Sequence, residues 1–197
     1  MNRNSSVFYA AAKIVYVAGD VHGDLEYAKG AVSCYLQQRK EGEILIFLGD
    51  YTDYGNKHIE VVRYMNKIAA KHDDIVLLMG NHEHYYDDFK PWYARDSRRN
   101  YLIDLAERRK GGWKRFVDDH YRSFVEHMYV AAIINNALFV HGGISQKIVD
   151  RKSLENAAFR EDILWSDPSS DIENGDLYNP RGAGVLWGRD VTAGLPK

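Results

Sequence analysis

The sequence predicts an α/β fold built on a parallel sheet, because three short apolar segments alternate with two amphipathic segments over residues 13–79. Each apolar segment leads directly into a Gly followed by Asp or Asn. In open α/β sheets, ligands bind beyond the carboxyl ends of the strands, which is where these polar residues would lie. The 197 residues are enough for one hydrophobic core, so we expect a single domain over residues 1–197.

The three apolar segments predict strands that are buried on both faces. They cover residues 15–18, 44–48 and 75–79. Between them, apolar residues recur at helical spacing over residues 25–39 and 59–72, which predicts two amphipathic helices. The resulting βαβαβ order has the length that right-handed crossovers and parallel pairing require.

The second half of the chain predicts more helices and a β-hairpin. The hairpin strands would be residues 129–134 and 137–140, joined by Asn135-Asn136, because Asn tolerates positive φ. Basic residues outnumber acidic ones between residues 91 and 115, where we expect a solvated helix face. The predicted helices lie near residues 97–109, 113–127 and 145–162.

Composition gives the protein no bias toward nucleic acid or membrane. The net charge is −2, and no stretch approaches the roughly 20 apolar residues of a membrane span. We therefore expect no nucleic-acid or membrane partner.

The single cysteine, Cys34, excludes an internal disulfide and fits a reducing compartment, so we expect a cytoplasmic protein. Because Cys34 lies inside a helical pattern, we expect its thiol to be buried and inert.

The polar residues at the strand ends predict a two-metal site centred on Asp50. Asp20 and His22 stand two residues apart, so in extended backbone both side chains can reach one ion. Asp50 can bind that ion through one oxygen and a second ion through the other, where Asn81 and His141 offer further ligands. This donor set suits Mn, Fe, Zn or Mg. Two ions about 3.5–4 Å apart can clamp an in-line phosphoryl displacement and supply a bridging hydroxide.

Two further residues predict proton transfer beside the metals. In extended backbone His82 points to the side opposite Asn81, toward substrate, where it can protonate the leaving oxygen. Asp53 lies three residues after Asp50 and can accept the other ring proton of His82, which would fix the tautomer.

These motifs, in this order, resemble the signature of the metallo-dependent phosphoprotein phosphatase family. Later motifs resemble those of its serine/threonine protein phosphatases, and the match extends from about residue 14 to residue 188. The early motifs are GDVHG at 19–23, GDYTD at 49–53, GNHE at 80–83 and HGG at 141–143; the later ones are LWSDP at 164–168 and RG at 181–182.

The resemblance implies a sandwich of two mixed β-sheets flanked by helices, with two metals at its edge. It implies that His82 and Asp53 act as general acid and partner, and that Arg181 grips phosphate oxygens through its planar guanidinium. The implied ligands are Asp20, His22 and Asp50 on one ion and Asp50, Asn81 and His141 on the other.

The chain departs from the family pattern at two points. Tyr54 stands where the family has an arginine, so one phosphate-binding cation is missing there. The family also places one more histidine ligand beyond the Arg-Gly motif, whereas this sequence ends nine residues after Gly188 without one. We expect either a fragment of a longer protein or a second ion held more weakly than the first.

The predicted function is metal-dependent hydrolysis of phosphomonoesters, with phosphoserine or phosphothreonine in proteins as the favoured substrate and two divalent ions, Mn foremost, as cofactor. One alternative is a dinucleoside-tetraphosphate hydrolase or another small-molecule phosphatase. Another is a catalytically weak phosphate-binding domain. The sequence leaves the oligomeric state open.

Overall fold

The computed structural model describes residues 7–84, 102–144, 148 and 150–165. Contacts between residues group the chain into two compact units. The larger unit comprises residues 11–128, and the smaller comprises residues 1–10 and 129–197.

The four-stranded sheet has the order β2-β3-β4-β5. Its strands are β2 (Ile14–Ala18), β3 (Glu43–Phe47), β4 (Ile75–Leu78) and the short β5 (Met128–Tyr129). Strand β3 runs parallel to both of its neighbours, β2 and β4, with Ile44 opposite Val15 and Leu45 opposite Ile75. The predicted parallel sheet over residues 13–79 is therefore confirmed. Strands β3 and β4 are buried along their whole length, as their continuous apolar sequences predicted.

Two amphipathic helices connect these strands, as predicted: α1 (Leu25–Gln38) and α2 (His58–Lys71). Asp24 caps the N-terminus of α1, since its carboxylate accepts hydrogen bonds from the amides of Glu26 and Tyr27 at 3.1 and 3.0 Å. Such a cap satisfies amides that would otherwise lack partners in the first turn.

Cys34 corrects one expectation, because its side chain is exposed. The buried stripe of α1 contains Ala28, Val32 and Tyr35, and Cys34 follows Val32 by two residues, about 200° around the helix. The thiol therefore faces solvent, where it accepts a hydrogen bond from Gln38 Nε2 at 3.2 Å.

The other elements described in the larger unit are helices, with one interruption that periodicity did not indicate. The elements are α3 (Asn81–His84), α4 (Leu102–Glu107), α5 (Gly112–Phe116), a π-helical segment (Val117–Tyr121) and α6 (Arg122–Glu126). Instead of one α-helix over 113–127, the chain inserts the π-helical segment between α5 and α6.

Lys114 and Arg115 pair with Asp118 and Asp119 at 2.7 and 3.1 Å, in accord with a solvated basic face. The predicted helix at 97–109 is described only from residue 102.

The smaller unit contains a mixed three-stranded sheet of order β1-β6-β7. Its strands are β1 (Val7–Ala10), β6 (Ala131–Ile134) and β7 (Ala137–Val140). Strands β6 and β7 pair antiparallel, and Asn135 in the turn has φ 55°, which confirms the predicted hairpin. Strand β1 pairs parallel with β6, with Val7 opposite Ala131. Sequence reasoning predicted no strand before residue 15, although residues 7–12 are apolar.

The predicted helical segment near 145–162 is broken into short pieces where the structure describes it. These are α7 (Arg151–Leu154), a 3₁₀ turn (Ala157–Phe159) and α8 (Arg160–Trp165). The break falls at Asn156, whose side chain accepts from the amide of Ala158 and caps the 3₁₀ turn. Arg181 and most of the LWSDP motif lie outside the described residues.

None of the helices in the described ranges has the length and hydropathy needed to cross a bilayer.

Candidate metal centre

Loops after three neighbouring strands bring the predicted residues of the larger unit together. They are Asp20 and His22 after β2, Asp50 and Asp53 after β3, and Asn81 and His82 after β4. Backbone hydrogen bonds connect the first two loops, because the amides of Val21 and His22 both donate to the carbonyl of Asp50, at 2.9 and 2.8 Å. The parallel register makes this convergence possible, since all three strands end at the same sheet edge.

A compact cluster of oxygen and nitrogen donors forms at this edge. Asp50 Oδ2 lies 3.6 Å from Nε2 of His22 and 4.0 Å from Nε2 of His82. Asp20 Oδ2 lies 3.7 Å from the same nitrogen of His22. The ligand atoms that His22, Asp50 and His82 offer all lie within 4.8 Å of one another, so these three residues can hold a metal ion.

The tautomer of His22 supports a metal-ligating role. Its Nδ1 lies 3.0 Å from the carbonyl oxygen of Thr52. Because a carbonyl only accepts, Nδ1 carries the proton, and the lone pair of Nε2 points toward the two carboxylates. Imidazole and carboxylate donors of this kind fit divalent first-row transition ions.

Asp50 is almost completely buried, with 1% of its surface exposed. Its Oδ1 accepts a hydrogen bond from the amide of His82 at 3.0 Å, while Oδ2 faces the two imidazole nitrogens. A buried carboxylate is unfavourable unless a cation or several donors compensate its charge. The burial of Asp50 therefore agrees with a bound cation beside Oδ2.

Glu83 is a site residue to which sequence reasoning gave no role. It is 1% exposed, and its carboxylate accepts hydrogen bonds from the amides of Asp50, Tyr51 and Gly80 at 2.8, 2.9 and 3.0 Å. Burial and the neighbouring charge of Asp50 raise the pKa of Glu83 to about 8. The GNHE motif contains Glu83, but the linear pattern does not indicate that its side chain turns back toward the loop after β3.

His82 and Asp53 form a buried pair beside the donor cluster. His82 Nδ1 lies 2.9 Å from Asp53 Oδ2, and Asp53 Oδ1 accepts from the amide of Leu102 at 2.9 Å. Burial lowers the pKa of His82, but the hydrogen bond to Asp53 and the charge of Asp50 outweigh it, so the pKa is raised above its ordinary value. Nε2 of His82 lies near enough to the cluster to act as a ligand or as a proton donor beside it.

Backbone strain is concentrated in the same loops. Four non-glycine residues have positive φ, namely His22 (44°), Asp50 (52°), Asp53 (68°) and Tyr54 (65°). In the described ranges, the only other such residue is Asn135 of the hairpin turn. Such conformations are unfavourable and persist chiefly at functional sites, where the surrounding structure holds them.

Gly80 permits a close approach between the chain after β4 and the loop after β3. A Cβ atom added to Gly80 would overlap both Oδ1 and the backbone nitrogen of Asp50. Glycine is therefore required here by the position of the proposed bridging carboxylate.

Tyr54 covers the imidazoles from the solvent side. Its ring centroid lies 4.9 Å from that of His22 and 5.0 Å from that of His82, with steep interplanar angles of 80° and 65°. The residue is 51% exposed.

The other residues predicted for the site are Asn81, His141 and Arg181. Asn81 is buried at the first position of α3. His141 follows β7 in the smaller unit and is buried, and the next two amides, of Gly142 and Gly143, donate to the carbonyl of Ile163. The ligand roles of both residues stay predictions, as does the role of Arg181.

The family described as calcineurin-like phosphoesterase matches residues 14–196, and the chain belongs to this family. The family and the fold class predicted from the motifs are thereby confirmed.

One relative is a protein phosphatase 2A catalytic subunit from Dictyostelium discoideum, with 34% identity over 193 residues, which cover 90% of this chain and 56% of the relative. The chain therefore spans little more than half the length of that curated relative. A protein serine/threonine phosphatase structure from Saccharomyces cerevisiae, with similarity to human phosphatase PP5, has a similar fold. Its TM-score is 0.53 at 20% identity, covering 83% of this chain and 49% of that one.

Proposed function

We propose that this protein hydrolyses phosphomonoesters with the help of divalent metal, and that its substrates are phosphoserine and phosphothreonine residues of proteins. The observation that carries the proposal is the cluster of His22, Asp50 and His82, with Asp53 hydrogen-bonded behind His82. The 34% identity to a protein phosphatase 2A catalytic subunit supports the protein substrate.

The proposed ligands are Asp20, His22, Asp50, Asn81 and His141, and Mn is the favoured ion. Divalent ions held there would supply Lewis-acid charge and make hydroxide available near neutral pH. The mixed carboxylate, imidazole and amide donors of these residues suit such ions. We include Arg181 in the proposal as a residue that binds phosphate oxygens, and the cytoplasm, suggested by the single cysteine, as the location.

The chain's own residues would then position the reactants and move one proton. As hydroxide forms the new bond to phosphorus and the bond to the leaving oxygen breaks, Nε2 of His82 donates a proton to that oxygen, which yields an alcohol and inorganic phosphate. Asp53 holds Nδ1 of His82 and stabilises its protonated form. Glu83 fixes the backbone on which Asp50 is carried.

Turnover of a phosphoserine peptide, measured against a dinucleoside tetraphosphate in the presence of Mn²⁺, tests the proposed substrate. We expect hydrolysis of the peptide to be faster. Faster hydrolysis of the dinucleotide would instead favour a small-molecule phosphatase. Tight peptide binding without turnover at saturating metal would favour a phosphate-binding domain.

A further inference from the structure

Among the described residues, three aromatic rings form a nearly equilateral cluster at the candidate metal centre. The centroids of Tyr54, His22 and His82 are 4.9, 5.0 and 5.1 Å apart, and each pair meets edge to face. Both imidazoles also belong to the donor cluster with Asp50. Tyr54 is the one member of this trio that carries no metal-ligating or proton-donating role in the proposed function.

Exposure of the side chains indicates where the solvent side of this cluster lies. The side chains of Asp50, Asp53 and His82 are at most 6% exposed. His22 is 28% exposed, and Tyr54 is the most exposed aromatic residue of the site, at 51%. Within the described part of the larger unit, the site therefore opens to solvent beside Asp20, whose side chain is 45% exposed, and beside Tyr54, whose ring contacts that of His82.

Of these two sides, the contact with His82 favours that of Tyr54 for the leaving group of a phosphomonoester. Its oxygen has to lie within hydrogen-bond reach of Nε2 of His82. Because the ring of Tyr54 lies 5.0 Å from the ring of His82, the carbon atoms attached to that oxygen would lie against Tyr54. A phenol ring offers a flat apolar face without net charge, which an aromatic partner fills better than a single methylene group does.

We propose that Tyr54 is a specificity-determining residue whose ring packs against the leaving group and favours aromatic leaving groups, such as that of phosphotyrosine, over small aliphatic ones. This inference rests on the proposed phosphatase function and extends it to a substrate class. The proposal concerns relative selectivity, so phosphoserine peptides remain substrates.

Two peptides that differ only in carrying phosphotyrosine or phosphoserine test the proposal through the ratio of their kcat/KM values. In Tyr54→Ala, this ratio should fall by about two- to tenfold relative to wild type, as expected for the loss of one aromatic contact. Tyr54→Phe keeps the ring and should retain the wild-type ratio within about twofold. Equal losses on both peptides in Tyr54→Ala would overturn the proposal while leaving the phosphatase function intact.

Binding of phosphonates provides a readout that does not depend on turnover. The Mn²⁺-loaded wild-type protein should bind phenylphosphonate more tightly than methylphosphonate, and Tyr54→Ala should lose most of that difference. If Tyr54→Ala fails to fold, Tyr54→Leu replaces it, because leucine keeps apolar bulk without a ring. This variant should also lose most of the difference in affinity between the two phosphonates. If the wild type hydrolyses neither peptide, the phosphatase proposal fails. The difference in affinity between the two phosphonates then tests the role of Tyr54 by itself. Equal affinities in the wild type would overturn the inference.

Discussion

At the scale of single residues, the site depends on ionisable groups that are buried side by side. Asp50 and Glu83 are each 1% exposed, and Asp53 is fully buried. Each of these carboxylates accepts at least one hydrogen bond from a backbone amide. These hydrogen bonds offset part of the free-energy cost of transferring the carboxylate from water to the protein interior. The same burial strengthens every electrostatic interaction inside the cluster.

His82→Ala should reduce kcat most on substrates with poor leaving groups. Serine alkoxide needs a proton as it leaves, whereas an activated aryl phosphate does not, so we expect losses of about 10²–10⁴-fold on the first and much smaller losses on the second. Kinetics on a phosphoserine peptide and on an activated aryl phosphate would provide the comparison. Equal losses on both, together with weaker metal binding, would assign His82 as a ligand instead of a general acid.

Asp53→Asn should shift the alkaline limb of the kcat–pH profile to lower pH. The hydrogen bond and charge of Asp53 raise the pKa of His82, so their removal lowers that pKa, and the protonated acid is lost at lower pH as the pH rises. The pH profile of kcat, measured at saturating Mn²⁺, checks this. An unchanged alkaline limb would show that the contact between Asp53 and His82 does not set the pKa of the group that transfers the proton. Asp73→Asn, which changes an exposed carboxylate before β4, provides the matched control.

At the scale of elements, the sheet edge is held together by the loops between strands and helices. Glu83 lies in α3, after β4, yet two of its three hydrogen bonds go to the loop after β3. Asp50 is thereby fixed to the neighbouring loop by its amide as well as by its side chain. This cross-connection explains how a backbone with positive φ at Asp50 can be maintained.

Glu83→Gln should destabilise the metal-free protein by about 1–3 kcal/mol. A glutamine has one acceptor oxygen for three amides, and its own NH₂ group would face at least one N–H donor. Denaturant unfolding at about pH 4.5, below the range in which the raised pKa of Glu83 lowers wild-type stability, measures the change, with the exposed Glu41→Gln as control. A stability equal to wild type would show that the three hydrogen bonds do not hold the loops.

The same variant should change how stability depends on pH. The pKa of Glu83 is raised in the folded state, from an ordinary value of 4.5 to about 8, so the folded protein binds the proton more tightly than the unfolded chain. The stabilisation from this group is therefore complete below about pH 4.5 and is lost as the pH rises toward 8. Metal-free Glu83→Gln should lack this decline, whereas an identical decline in both proteins would assign it to other groups.

Sequence reasoning predicted the elements whose signals are local. The three strand ends could be placed because parallel strands finish at one edge, and the hairpin because Asn135 tolerates positive φ. The π-helical segment was missed, since one extra residue in a helical turn barely changes the spacing of apolar residues. The role of Glu83 was missed for a different reason. Its partners include backbone amides 32 and 33 residues away, which no residue pattern records.

At the scale of the whole molecule, the candidate site draws its best-defined residues from the larger unit. Asp20, His22, Asp50, Asp53 and His82 all lie within residues 11–128, whereas His141 belongs to the smaller unit. The family match covers residues 14–196 and therefore includes both. Metal binding should therefore depend first on residues of the larger unit, with Asp50 at their centre.

The most direct test of this account is the turnover of a generic aryl phosphate with metal content measured on the same sample, for wild type and for Asp50→Asn. We expect wild-type turnover to rise with bound Mn²⁺ and to vanish when the metal is removed. Asp50→Asn should bind less metal and keep less than about a tenth of the wild-type kcat, since one decade of rate corresponds to about 1.4 kcal/mol of barrier. Full turnover in metal-free protein, or a variant that retains wild-type metal content and rate, would contradict the central role of Asp50.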